Sequence, residues 1–423
     1  MTRVLLVAPP FSGHLNPLIA IGDDLRSRGL SVSIATGATR INQLRALGFD
    51  AHPILPHDPG AFDRISNSES RIGSNPLRLA GQLRDNLALL VPATAELTRV
   101  VDEVRPDVVL ADFTAPPAGL VAERAGIPWL TTMPTPFALE TRTGTPSYLG
   151  GWSPPRHVGH RLRDAAGRTT TRAFKLGVER VFAHRFRQLG TRVYRADGSE
   201  AAYSPTAIFG LGLPELEFAR DWPATFRLVG PITASPGPAR PIPDVLGPLR
   251  PGRRRVLVSL GTHLLWAKES LAEQVCRLAD TLPDVDFVVT RGDAQGPEGV
   301  TRHTRQVVEC AYLPYDEVMD EFDAVIHHGG AGITYSCLRA GTPAVVWPLD
   351  YDQFDFAARI VRAQAGVRVR RLDPSDAAPA VRAALAWDPE PLVRLQAAVT
   401  SADPLGAIAA GVIAAARGES LPR

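Results

Sequence analysis

The amino-acid sequence predicts an α/β protein made of two doubly wound, Rossmann-like domains facing each other across a cleft. Two segments follow one plan: RVLLVAPPFSGHLNPLIAIGDDLRSRGLSVSIATG (3–37) and RVLVSLGTHLLWAKESLAEQVCRLADTLPDVDFVVTRG (255–292) each run strand, loop, amphipathic helix, strand. Short apolar strands alternating with helices of about 12–16 residues indicate βαβ units and a parallel sheet. Between the copies, VGPITASPGPARPIPDVLGPLRPGRRR (229–255) is too rich in Pro and Gly to continue a helix or a strand. A length of 423 residues suffices for two cores.

The elements follow in order. The first strand is Val4–Ala8, and Ala51–Ile54, Val108–Asp112 and Trp129–Thr132 are further apolar runs of strand length in the first half. Helices are expected over 76–104 and 161–190. The second half supplies Val307–Cys310, Ala324–His327, Ala344–Trp347 and Val367–Val369 as strands, and Leu405–Arg417 as a final helix. The expected division is a first domain over 1–230, a linker over 231–254, a second domain over 255–403 and a closing helical segment over 404–423. That last segment could pack back on the first domain. Doubly wound sheets bind ligands beyond the carboxyl ends of their strands, so the cleft is the expected site.

Composition narrows the partners. Apolar residues are 45% and charged residues 21%, an ordinary globular balance, and 46 Lys and Arg against 44 Asp and Glu leave a net charge of +2. That near-neutrality argues against a nucleic-acid surface, and the basic run around Arg250–Arg255 reads as a solvated linker. AIAAGVIAAA (407–416) falls short of the ~18 residues a membrane span needs. MTRVLLVAPPF lacks the make-up of a signal peptide, and three scattered cysteines without a CxxC pair suit a reducing compartment. The expectation is a cytoplasmic protein with neither a nucleic-acid nor a membrane partner.

The loop after the first strand, PPFSGHLNP, is not a dinucleotide fingerprint, because GxGxxG is absent. Gly13 is expected to make a sharp turn that sets His14 at the start of the following helix. In a sheet of order 3-2-1-4-5, strand 1 neighbours strand 4, which brings Asp112 beside His14. Asp107 lies about 16 Å away at ~3.3 Å per residue, on the opposite edge. A histidine held by an aspartate is an arrangement for taking a proton from a hydroxyl.

In the second half, VIHHGGAGITYSC (325–337) reads as a strand ending, a glycine turn and a helix start. Glycines there let backbone N–H groups approach a ligand where the helix dipole favours an anion, with His328 as a further donor. Adjacent histidines on a strand end point to opposite faces and no third ligand is near, so no metal site is expected.

With these residues in place, the sequence resembles an inverting glycosyltransferase of the GT-B fold, in the large family of antibiotic, macrolide and plant natural-product glycosyltransferases. The resemblance spans the chain. It is most specific in AYLPYDEVMDEFDAVIHHGGAGITYSCLRAGTPAVVWPLDYDQFDFA (311–357) and weaker in SGHLNP. It implies His14 as general base and Asp112 as its orienting acid, with Gly13 beside the donor. It implies Tyr312 stacked on the nucleobase and the Leu313 backbone on the base edge. His328 would meet the diphosphate, with backbone donors at Gly330, Ala331 and Gly332, and Thr262 of SLGT nearby. Asp352 and Gln353 would read the sugar hydroxyls.

Two positions depart from the family pattern. Ile333 stands where a Ser or Thr usually meets a phosphate, with Thr334 as the candidate substitute. Ser336 stands where users of UDP-glucose often carry a Glu on the ribose hydroxyls, which favours a dTDP-sugar over a UDP-sugar, since deoxyribose lacks the 2′-hydroxyl. The implied acceptor is an apolar aglycone, for which Phe137, Tyr148 and Trp152 are the candidate contacts, walled by the helices over 76–104 and 161–190. Neither metal nor cofactor is expected beyond the nucleotide-sugar co-substrate, and a homodimer is left open. The same fold also serves nucleotide-sugar 2-epimerases and catalytically silent partner proteins.

Overall fold

The computed structural model describes residues 1–66, 76–234, 251–262, 264–294, 296–297 and 299–420, without the side chains of residues 65–66, 76–80 and 82. Most of the expected linker, 235–250, therefore lies outside the described residues. The first sheet contains β1 (Arg3–Val7), β2 (Ser31–Gly37), β3 (Asp50–Ile54), β4 (Val108–Asp112), β5 (Trp129–Met133), β6 (Ile208–Gly210) and β7 (Phe226–Leu228). Their order is β3-β2-β1-β4-β5-β6-β7, all parallel. Every residue of β4 is buried, which is why it reads as an unbroken apolar run closed by one aspartate.

The second sheet repeats the plan with β8 (Arg254–Ser259), β9 (Val285–Thr290), β10 (Val300–Arg302), β11 (Val307–Cys310), β12 (Ala324–His327), β13 (Ala344–Val346) and β14 (Gly366–Arg368). The order is β10-β11-β9-β8-β12-β13-β14, with only β10 antiparallel. β8 is the central strand of its sheet and β1 lies beside the central strand of the other, so the loops that follow them open into the middle of the cleft.

The helix Ser12–Ser27 buries Leu15, Leu18, Ile19, Ile21 and Leu25 in the first core, where Ile408 and Val412 of the last helix, Pro404–Arg417, join them. The chain thus closes on the lobe in which it began. Pro389–Arg417 is the one described stretch long and apolar enough to cross a membrane. It is broken at Ala402 and Asp403, where the Asp403 carboxylate accepts from the Gly406 N–H at 2.9 Å and starts a separate helix.

A buried ion pair joins the lobes. Arg359, on the helix Gln353–Arg362, donates from Nε and Nη2 to Glu217 Oε2 at 3.0 and 2.9 Å. Its guanidinium lies 3.8 Å from the Phe137 ring centre and 4.4 Å from that of Phe218. With Arg359 1% exposed and the Glu217 side chain 3%, neither charge has water as an alternative partner.

Candidate active site

The register of the first sheet assembles the acid–base pair. Val7 of β1 lies level with Ala111 of β4, so the residues just beyond both strands emerge together. His14 Nδ1 is 3.0 Å from Asp112 Oδ1. Asp112 is 1% exposed, and the His14 side chain keeps 24% of its surface. Burial pushes the imidazole pKa down, but the adjoining Asp112 carboxylate, aided by Asp352, outweighs it and holds the value above that of free histidine. Thr114 completes the arrangement: its backbone N–H donates to Asp112 Oδ1 at 2.9 Å and its hydroxyl donates to the same oxygen. Both hydrogen bonds fix the carboxylate that orients the imidazole. The sequence pattern gave no sign of Thr114.

Gly13 corrects an expectation. The helix begins at Ser12, so Gly13 lies in its first turn rather than in a sharp bend. No atom lies within 4 Å of where a Cβ would stand. Protein packing does not demand a glycine there; the space opens into the cleft.

Across the cleft, VIHHGGAGITYSC divides its two histidines. His327 is fully buried and its Nδ1 accepts from the Gly329 N–H at 3.0 Å. Burial, with His328 next to it, drives its pKa down to about 3, so it stays neutral and closes the turn. His328 instead lines the cleft. Its ring is wedged between two glycines: a Cβ on Gly330 would lie 2.4 Å from Nε2, and one on Gly261 would lie 2.8 Å from Cε1. Gly330 is the N-cap of the helix Ala331–Ala340 and supplies no side-chain cap, which leaves that N-terminus to a ligand.

A lysine braces the loops around this seat. Lys268, which sequence reasoning did not single out, donates from Nζ to the Gly261 and Arg291 carbonyls, both at 2.6 Å. Burial lowers its pKa to about 8, with Asp293 opposing the shift. Replacing Gly330 by Ala is expected to displace the His328 ring and, if this seat holds the diphosphate that the sequence resemblance implies, to weaken its binding by about tenfold or more, the worth of one charge-assisted hydrogen bond. Calorimetric titration with dTDP reads this directly.

The Asp352–Gln353 pair is placed less simply than its motif suggests. Asp352 Oδ2 accepts from the Thr135 hydroxyl of the opposite lobe at 2.8 Å. Gln353 Oε1 accepts from the backbone N–H groups of Leu349 and Asp350 at 2.8 and 2.9 Å, so its amide nitrogen is the end left for a ligand. Nearby, Asp355 accepts from the Tyr148 N–H at 2.8 Å, and burial pushes its carboxyl up to about 6.

The cleft between the lobes encloses about 860 Å³. Gly13, His14, Thr262, Tyr312, His328, Gly330, Ala331, Gly332, Ile333, Asp352 and Gln353 all line it, and Ser336 does too. Leu313 has its side chain buried in the core, 1% exposed. Thr334 is also buried, 1% exposed, and is not part of the lining, so it does not take over the phosphate role raised for it. Its neighbour Ile333 presents carbon where the family pattern has a hydroxyl.

Of the three aromatic candidates for an acceptor contact, only Tyr148 reaches the cleft. Phe137 is 1% exposed and packs edge-on against Phe356 with ring centres 4.9 Å apart, so core packing claims it. Trp152 lies under the Arg163 guanidinium, 4.6 Å from its ring centre, outside the lining. The apolar wall is instead built from Phe11, Phe62 and Phe113 with Leu89, Leu90 and Leu97 of the helix Pro76–Val104. The helix Val158–Val181 stands one layer back, behind the loop that carries Tyr148. Among the described residues, no three His, Cys, Asp or Glu side chains converge as a metal-holding group.

Two parallel-sheet lobes, a His–Asp pair on one and a helix N-terminus facing it on the other define a two-lobed transferase of the GT-B architecture. The chain is 30% identical over 409 residues to 4'-demethylrebeccamycin synthase of Lentzea aerocolonigenes, covering 94% of each chain. Residues 276–398 match the family described as erythromycin biosynthesis protein CIII-like, C-terminal domain. The fold matches that of CalG4, the calicheamicin glycosyltransferase, with a TM-score of 0.69 at 20% identity over 100% of both chains. It also matches the glycosyltransferase VinC in complex with dTDP, with a TM-score of 0.65 at 18% identity over 99% of this chain and 100% of that one. The chain belongs to the family of antibiotic and natural-product glycosyltransferases, and it is an enzyme of that class.

Proposed function

We propose that the protein transfers a sugar from a nucleotide-sugar, dTDP-linked in preference to UDP-linked, to a hydroxyl of an apolar natural-product acceptor, with inversion and without a metal. His14 Nε2 takes the acceptor proton while Asp112 holds Nδ1 and stabilises the imidazolium. The acceptor oxygen forms its bond to the anomeric carbon as the bond to the diphosphate oxygen breaks. Charge gathering on the diphosphate is met by His328 and the N-terminus of the helix Ala331–Ala340. Asp352 and the Gln353 amide face the transferred sugar. The cytoplasm, where nucleotide-sugars are made, is the compartment this reading implies.

One observation carries the reading: the His14–Asp112 pair and the His328 seat line the same cleft from opposite lobes. The preference for dTDP rests on Ser336 at the ribose position and on the dTDP held by a structural neighbour. Incubating the protein with dTDP- and UDP-sugars, with and without hydroxylated apolar acceptors, tests it by nucleotide release and product mass. Acceptor-dependent dTDP release with a glycosylated product is expected, unchanged by EDTA. Isomerised donor without acceptor would replace the reading with an epimerase.

The pH profile tests the base separately. Only the neutral imidazole accepts a proton, so kcat/KM is expected to fall as pH drops through the raised His14 pKa. Asp112→Asn removes the carboxylate that raises it. The acidic limb should then move to lower pH, together with a loss of turnover.

A further inference from the structure

The net charge of +2 conceals a strong asymmetry. From Arg156 to Arg195 there are eleven Lys and Arg against two acidic residues, a net +9 in forty residues, so the other 383 carry a net −7. Neither acid in that stretch faces out freely. Asp164 is buried on the inner side of the helix Val158–Val181, bonded to Thr145 and Arg163, and Glu179 accepts from the Val193 N–H. Part of the positive charge is also met from within: Lys175 lies against Glu140 and Glu200, Arg172 against Glu140, and Arg195 against Glu123. Arg156, Arg161, Arg180, Arg187 and Arg192 are exposed and have no ion-pair partner among the described residues.

The same helix turns its apolar residues outward. Val158, Leu162, Phe174, Leu176 and Val181 are 48–77% exposed, five of the twelve large apolar residues that the described surface exposes. Ala165, Thr169, Ala173 and Gly177 lie between them on the outer side, all exposed. The inner side packs on the loop 144–152: a Cβ on Gly167 would meet Pro146, Leu149 and Trp152 at 2.8 Å, and Arg168 donates to the Gly144 carbonyl. Its amphipathicity is therefore inverted, with polar groups inward and a convex apolar stripe bordered by arginines outward.

We infer that this face, the helix Val158–Val181 with the segment 182–192 that follows it, docks on an anionic lipid surface. Charge selects the occupant. A second copy would set the exposed, unpaired arginines of one face against those of another, a repulsive pairing. A nucleic acid would use the arginines but not a row of Val, Leu and Phe. An anionic bilayer supplies both partners, with headgroups for the guanidinium groups and the acyl boundary for the apolar stripe. A helix of 24 residues lying flat would cover about 36 Å. The inference is independent of the transfer chemistry. It departs from the expectation of no membrane partner, which rested on the lack of an apolar run long enough to span a bilayer and did not consider a helix lying on its surface. Because the loop under this helix carries Tyr148, the bilayer surface would lie one helix diameter, about 10 Å, from the cleft wall.

Flotation of the full chain with vesicles of phosphatidylcholine, alone or mixed with phosphatidylglycerol, is the test. Binding to the mixed vesicles only, weakened by added salt, is expected. Each of Arg161→Glu, Arg180→Glu and Arg187→Glu should lower partitioning at least about fivefold. The double variant Leu162→Glu/Phe174→Glu should abolish it, while its thermal melting and any nucleotide binding stay at wild-type values. No binding to the anionic vesicles, or equal binding by these variants, overturns the proposal. Lipid-free dimerisation lost in the Leu162→Glu/Phe174→Glu variant would also overturn it and assign the face to a second copy. Binding to an oligonucleotide that depends on the arginines alone would overturn it likewise.

Discussion

His14→Ala protein is expected to turn over about 10²–10⁴-fold more slowly than wild type while melting at nearly the same temperature. The size follows from its role: without an acceptor for the proton, the attacking oxygen must develop its bond while still a hydroxyl. The unchanged melt follows from its place in the first turn of a helix, where its ring borders the open cleft, a quarter exposed, rather than filling a hydrophobic core. Asp112→Asn should slow turnover less, and adding it to His14→Ala should cost little more, because the aspartate acts only through the imidazole. Steady-state kinetics on the four proteins measures that coupling. Full additivity of the two losses would sever Asp112 from the base.

Glu217→Gln is expected to destabilise the fold by about 3–5 kcal/mol, because it strands the Arg359 guanidinium in a site with no water. Arg359→Met should cost a similar amount by leaving the Glu217 carboxylate buried alone. The double variant Glu217→Gln/Arg359→Met should be more stable than either single one, since neither charge is then left unpaired. Denaturant titration of the four proteins checks the order. The pair also sits two turns along the helix that begins at Gln353, so any single variant that still folds should raise the donor KM more than it lowers kcat.

Much of the architecture was legible because parallel strands buried on both faces leave continuous apolar runs, and β1, β4, β8 and β12 all do so. The strand order then placed Asp112 against His14 without further information. The three-residue strands β6, β7 and β10 were missed, whereas the equally short β13 and β14 were found because they fall in turn between helices in the strand–helix alternation. Phe137 and Trp152 were misassigned because an aromatic residue has the same signature in a core as in a ligand wall. Thr135 and Asp352 are 217 positions apart and meet only once two lobes have folded and docked. Lys268 was missed for a related reason: it grips two carbonyls, and bonds to the backbone leave no trace in residue identity. The charge asymmetry was readable from the start but was hidden by taking a total.

The return of Pro404–Arg417 to the first core has a practical consequence for exchanging parts between relatives. A hybrid that joins one parent's residues 1–230 to the other's remainder would inherit mismatched pieces of a single hydrophobic unit, with Ile408 and Val412 facing side chains they did not evolve beside. Such hybrids should express as well-folded enzymes only when the tail comes from the same parent as the head.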